Sequence, residues 1–171
     1  MWLRSAVILV ALAIAGCQVR PLYLDAAQGG PLAPNADLRA IDVDPPTTRV
    51  GQVLRNEMLF LFRGDGSRGD EPRYRLRIIA DTSTDSLAIA VRDELPAAVL
   101  VTLNGTFILS EIGTEKTLLT GSSTTTASYD FSSQRFANER AERDAETRAA
   151  KSMAENISAR IAAYFVARQD S

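Results

Sequence analysis

The chain has 171 residues, 46% of them hydrophobic, and a formal net charge of −2. That length suits one domain with a real core, and the near-neutral charge supplies no bulk basic field of the kind that draws a protein to nucleic acid. Histidine is absent and Cys17 is the single cysteine, which removes His-based triads, Cys-His dyads, histidine metal sites and intramolecular disulfides together. An enzyme would have to run on carboxylates, Lys or Tyr. A carboxylate-based glycosidase needs two acids across a cleft, and the acids here fall on loops and on one charged helix face. No catalytic residue, metal ligand or cofactor is expected. Of the 19 basic residues only Lys116 and Lys151 are lysines; a GC-rich genome explains that bias more simply than phosphate binding.

The chain opens with Met1, Trp2 and Arg4, then an apolar run from Ala6 to Ile14 and the small residues Ala15 and Gly16 before Cys17. A membrane-spanning helix needs about 20 apolar residues, and this run is too short. A positive start, a short apolar stretch and small residues describe a secretory signal. Ile14-Ala15-Gly16-Cys17 resembles a bacterial lipobox, which implies a signal peptide over residues 1–16 and acylation of Cys17 as the first mature residue. Two or more acyl chains would hold it stably on a bilayer. Gln18 is not the aspartate that retains many bacterial lipoproteins at the inner membrane, so the outer membrane is the expected address. Residues 17–36, with Gly29-Gly30-Pro31 and Pro34, read as an extended tether. A single domain is expected over residues 37–168.

Leu38 to Val43 places Ile41 and Val43 on one face and Asp42 on the other, which predicts a short strand ended by Pro45-Pro46. Thr47 or Thr48 can then cap a helix. Val50, Val53, Leu54, Met58 and Leu61 recur at steps of three and four and predict an amphipathic helix stopping near Arg63-Gly64. The loop from Gly64 to Pro72 carries Asp65, Asp70 and Glu71, but without calcium-loop spacing. From Tyr74 the period becomes two: Tyr74, Leu76 and Ile78 alternate with Arg73, Arg75 and Arg77, a strand with one apolar and one basic face. A turn or bulge is expected over Thr82–Ser86, then Leu87, Ile89 and Val91 alternate before Arg92-Asp93.

Ala97 to Ser110 is the most β-prone run. Asn104-Gly105 inside it is a hairpin signal in isolation; the alternative is one long strand with a bulge at the glycine. After a turn at Ile112–Lys116, Thr117 to Tyr129 is rich in Thr and Ser, a strand that buries little on its hydroxyl-rich face. That face meets water or a polar partner. The last element is a long helix from about Gln134 to Ala167, with Ala137, Ala141, Ala145, Ala149, Met153, Ile157, Ile161 and Phe165 recurring every four residues. The small half of that stripe lets the helix lie close to a sheet, and the large half fills a core.

In order and spacing these features resemble the LPS-assembly lipoproteins of Gram-negative outer membranes (LptE type), above all their α-proteobacterial branch. The resemblance rests on Cys17-Gln18-Val19-Arg20-Pro21-Leu22-Tyr23, Gly51-Gln52-Val53-Leu54-Arg55-Asn56, Arg92-Asp93, the Thr-Leu-Asn-Gly-Thr run ending at Thr106, and Asp144-Ala145 in the final helix. It implies an α+β two-layer sandwich, order β-α-β-β-β-α. A sheet of about four strands, antiparallel or mixed, has two helices packed on one face, and Ala97–Ser110 is one continuous strand. It implies a non-enzymatic outer-membrane lipoprotein, facing the periplasm, that plugs and helps assemble the LPS-export β-barrel and assists delivery of lipopolysaccharide to the outer leaflet. The implied partners are that barrel protein, lipopolysaccharide, and the bilayer through acylated Cys17. Arg92 matches a basic position of the family associated with lipopolysaccharide. A second falls on Asn138, which is not basic, although Arg135 and Arg140 flank it; an ordinary turn arginine paired with Asp93 or Glu94 is the plainer reading of Arg92. The competing function is an auxiliary lipoprotein of an ABC-type envelope lipid transporter.

Overall fold

A computed structural model describes residues 34–63, 71–89 and 96–169. Cys17, the tether up to residue 33, Asp65, Asp70 and Arg92-Asp93 lie outside the described residues. The elements run α1 (Pro34–Arg39), β1 (Ile41–Val43), α2 (Arg49–Arg63), β2 (Tyr74–Ile89), β3 (Pro96–Glu111), β4 (Thr117–Asp130) and α3 (Arg135–Gln169). The strands form one sheet in the order β1-β2-β3-β4. β1 runs parallel to β2, and β2, β3 and β4 are antiparallel neighbours. The expected α+β sandwich is what folds, with α2 and α3 packed together over one face of the sheet.

Each element has a local cause. Pro45 and Pro46 cannot extend a hydrogen-bonded ladder, so β1 stops after Val43. Thr48 then caps α2, its Oγ1 accepting from the Gly51 amide at 3.1 Å. Gly51 is there because a Cβ would lie 2.7 Å from Pro46 Cβ, so the motif residue lets the proline turn lie on the helix. At the start of α3, Asn138 brackets Ser132: its Oδ1 accepts from the Ser132 amide at 2.7 Å and its Nδ2 donates to the Ser132 carbonyl at 2.6 Å. Asn138 is thus occupied in fixing the turn into the helix.

The core lies between the sheet and the helices. Leu76, Val101, Leu103, Phe107 and Leu109 from the sheet meet Leu54, Met58, Met153, Ile157, Ile161 and Phe165. Burying each of these large side chains contributes about 1.5–3 kcal/mol. Phe165 packs on Tyr74 with ring centroids 5.0 Å apart.

Five expectations need correction. The tether ends in a helical turn, not an extended one, because Leu38 is buried and Asp37 accepts from Arg73 at 2.8 Å and from the Tyr74 hydroxyl at 3.2 Å. The expected strand from Leu38 therefore begins only at Ile41. Thr82–Ser86 is no turn: β2 continues to Ile89, with its register shift between Ser86 and Ala88 and again before Ile89. The residue-every-four stripe of α3 does not stay buried along its length. At the start of the helix Ala137 is exposed and Ala141 half-buried. From Ala145 the stripe is buried as expected, through Ala149, Met153, Ile157, Ile161 and Phe165, and the buried arc also takes in Ala150, Ala154, Ser158 and Ala162. Finally, the Thr/Ser strand buries one hydroxyl-bearing face: Ser123 and Thr125 sit under α3, and Thr125 Oγ1 donates to the Ala149 carbonyl at 2.8 Å. Alanines on the helix make that close approach possible.

Candidate functional site: the open face of the sheet

The side chains of β2, β3 and β4 alternate between two faces. Leu76, Leu103, Gly105, Phe107, Ser123, Thr125 and Ala127 point to the helices. Ile79, Asp81, Thr106, Ser122, Thr124, Thr126 and Ser128 point the other way and are exposed. No described helix covers that second face. Asn104 and Thr124 stand opposite each other on it, with the threonine hydroxyl donating to Asn104 Oδ1 at 2.9 Å. Asn104-Gly105 makes no turn, because β3 is continuous through it. Gly105 is the close-approach point: a Cβ there would lie 2.6 Å from Met153 Sδ. The result is a broad pleated surface of hydroxyls and amides, with Leu100 and Ile108 half-buried within it.

At the β1 end this face is cationic in sequence but paired in space. Arg73 is bound to Asp37, Arg77 donates to Asp44 at 3.1 Å, and Arg75 lies 3.7 Å from Asp44 and 3.9 Å from Glu115. The basic face of β2 is therefore a surface ion-pair ladder rather than a cluster of bare charges.

Three carbonyls on the outer edges of β1 and β4 are met by arginines that the sequence pattern did not single out. Arg148 and Arg160 reach from α3 to the Ser128 carbonyl at 2.8 Å and the Ser122 carbonyl at 2.6 Å on β4. Arg55 donates from α2 to the Val43 carbonyl on β1 at 2.9 Å. Their spacing marks them as solvent-side helix residues; only the fold shows where the guanidiniums end.

Of the anticipated lipopolysaccharide contacts, Arg135 and Arg140 are exposed at the start of α3, with Arg135 3.6 Å from Glu139. The register pairs Ile89 with Pro96 and Ala98 with Asp130. The start of α3 thus lies at the sheet end where β2 hands over to β3. Arg92 lies outside the described residues. Among the described residues no group of three His, Cys, Asp or Glu side chains could hold a metal ion, and no helix is long and apolar enough to cross a membrane. Burial pushes the Tyr74 hydroxyl above its usual range, helped by Asp37, and burial does the same at Tyr129 beside Glu142.

The chain is similar to known proteins over most of the domain. The family model LptE, described as lipopolysaccharide-assembly, matches residues 38–161. No curated protein matches the sequence. Among solved structures, a candidate lipoprotein from Caulobacter crescentus superposes with a TM-score of 0.61 at 20% identity, covering 78% of this chain and 96% of its own. The minor lipoprotein from Acinetobacter baumannii gives 0.54 at 19% identity, covering 72% and 88%. Rare lipoprotein B from Shewanella oneidensis gives 0.57 at 12% identity, covering 75% and 96%. At these identities the three structures show a shared fold.

Proposed function

The chain belongs to the lipopolysaccharide-assembly family LptE, and from that premise we propose that it is a non-enzymatic outer-membrane lipoprotein that plugs and helps assemble the LPS-export β-barrel. The observation that carries the reading is the uncovered, hydroxyl-rich face of β3 and β4. Barrel interiors are polar, so a plug needs a surface that is stable in water and can exchange its water for the polar side chains of a lumen wall. Thr and Ser do this with little desolvation cost compared with charges. In this reading Ser122, Thr124, Thr126 and Ser128 face the barrel.

Residues 1–16 act as the signal peptide, Cys17 carries the lipid, residues 17–36 join it to the domain over 37–168, and the molecule stands on the periplasmic side. Arg92, Arg135 and Arg140 contact lipopolysaccharide, as guanidiniums bind phosphate in a two-point grip, while the barrel receives the lipid for the outer leaflet.

The test is co-purification in mild detergent. Thr124→Arg with Thr126→Arg should abolish recovery of the barrel while thermal unfolding of the isolated domain stays put. Lys151→Glu on the solvent side of α3 should leave recovery intact. Recovery of an inner-membrane ATPase complex with no barrel would overturn the reading in favour of a lipid-transporter accessory. Depletion of the protein should leave the barrel misassembled and surface lipopolysaccharide reduced.

A further inference from the structure

β1 is short, and it pairs only Ile41 to Val43 with Tyr74 to Leu76. β2 runs on to Ile89. Tyr74 donates to the Ala40 carbonyl and Leu76 accepts from Asp44, so the even-numbered residues of β2 turn their backbone groups towards β1. Past Leu76 the same alternation aims the N–H and C=O groups of Ile78, Ala80, Thr82 and Thr84 at an edge where no described strand pairs with them. The carbonyls of Val43, Ser122 and Ser128 on the other edges are taken by helix arginines. No such cap reaches this stretch among the described residues.

A cavity of about 300 Å³ lies against it. Its apolar walls include Val43, Pro45, Pro46, Leu54, Ile78 and Ala80. It continues the line of β1, which stopped at the proline pair. Ile79, on the opposite face, is 64% exposed. A backbone edge with unpaired donors and acceptors, beside an apolar groove, fits an added strand. We propose that the β2 edge from Ile78 to Thr84 takes an extended segment of a partner protein as a further strand of the sheet.

The side chains along this edge set that segment's chemistry. On the groove side it meets Ile78, Ala80 and Leu54, which asks for apolar residues. On the open side it meets Asp81 and Asp85, both exposed and without an ion pair among the described residues, which asks for Lys or Arg. The partner strand therefore alternates apolar and basic residues. A second copy fits less well: antiparallel pairing of β2 with itself centred on Asp81 or Ser83 sets aspartate directly opposite aspartate, which is destabilising. This goes beyond the barrel reading and does not depend on it.

The experiment uses the purified domain and a peptide of about ten residues alternating valine and lysine, read by binding and by amide hydrogen exchange. Binding should slow exchange at Ile78, Ala80, Thr82 and Thr84 and weaken as salt rises. A valine–glutamate peptide should bind about tenfold more weakly or worse, and Asp81→Lys with Asp85→Lys should reverse that preference. Thr82→Pro removes an edge N–H without touching the ladder to β3; it should cut binding by about tenfold while the unfolding midpoint is unchanged. Equal binding of both peptides, equal binding by Thr82→Pro, or protection elsewhere would overturn the proposal. So would concentration-dependent dimerisation of the unliganded domain with protection of the same amides, which would assign the edge to a second copy.

Discussion

The two faces of β4 from Ser122 to Thr126 carry the same residue types and behave in opposite ways. On the helix side, Ser123 and Thr125 are buried and Thr125 donates to a helix carbonyl. On the open side, Ser122, Thr124 and Thr126 are exposed. Residue type does not separate them; what lies opposite does. Ala145 and Ala149 bring α3 close enough to bury short hydroxyl side chains, and their polar atoms must then find partners. The open side has no such cover and stays in contact with solvent or a partner.

The largest effect should come from the helix side. Phe107→Ala removes a fully buried ring and should cost about 3–5 kcal/mol in urea unfolding, whereas Thr124→Ala on the open side should cost under about 0.5 kcal/mol. A comparable loss at both positions would show that the open face is itself packed. Next comes Gly121→Ala. A Cβ there would lie 2.7 Å from Phe107 Cζ, and the rigid ring makes this an overpacking substitution of about 1–3 kcal/mol. Unchanged stability would mean that Phe107 has room to move.

A smaller effect should appear at alkaline pH. Burial raises the Tyr74 hydroxyl above its ordinary 10.0. A raised acid contributes stability below its unfolded value and loses it as pH climbs through the folded one. The wild-type midpoint should therefore fall above pH 10.0, and Tyr74→Phe should flatten that fall. An identical profile in Tyr74→Phe would shift the cause to Tyr129 or elsewhere. The smallest effect is at Ser158, whose Oγ is buried on the helix side with no hydrogen-bond partner among the described residues. Ser158→Ala removes an unsatisfied group and should be neutral or stabilising by up to about 1 kcal/mol. A clear loss of stability would reveal a partner for that hydroxyl.

The sequence was most readable where one face is dry. Tyr74, Leu76 and Ile78 alternate with arginines because α3 covers only one side, and Thr48 with the proline pair marked the start of α2. It was least readable where neither face is buried. Asp81 to Ser86 form a strand only because β3 pairs with them across the ladder, and a polar run carries no trace of a distant partner. The Asn-Gly pair misleads for a related reason. A local turn preference yields when the long strand pairs on both edges and Gly105 admits Met153. The open face itself was legible as hydroxyl-rich, but which hydroxyls were open depended on the long-range docking of α3. Of the residues anticipated to carry function, only Arg135 and Arg140 are placed, both at the exposed start of α3.

The arginine caps on β4 also bear on the order of events during folding. Ser128 is separated by 20 residues, and Ser122 by 38, from the arginines that close their carbonyls. A chain emerging from its N-terminus completes the hydroxyl-rich strand before the helix that seals it. During that interval β4 presents a long, uncharged edge, the kind of template on which other chains can pair. Docking of α3 thus ends a window of vulnerability as well as completing the core. Chains truncated before Arg148 should aggregate out of proportion to the contacts they lose.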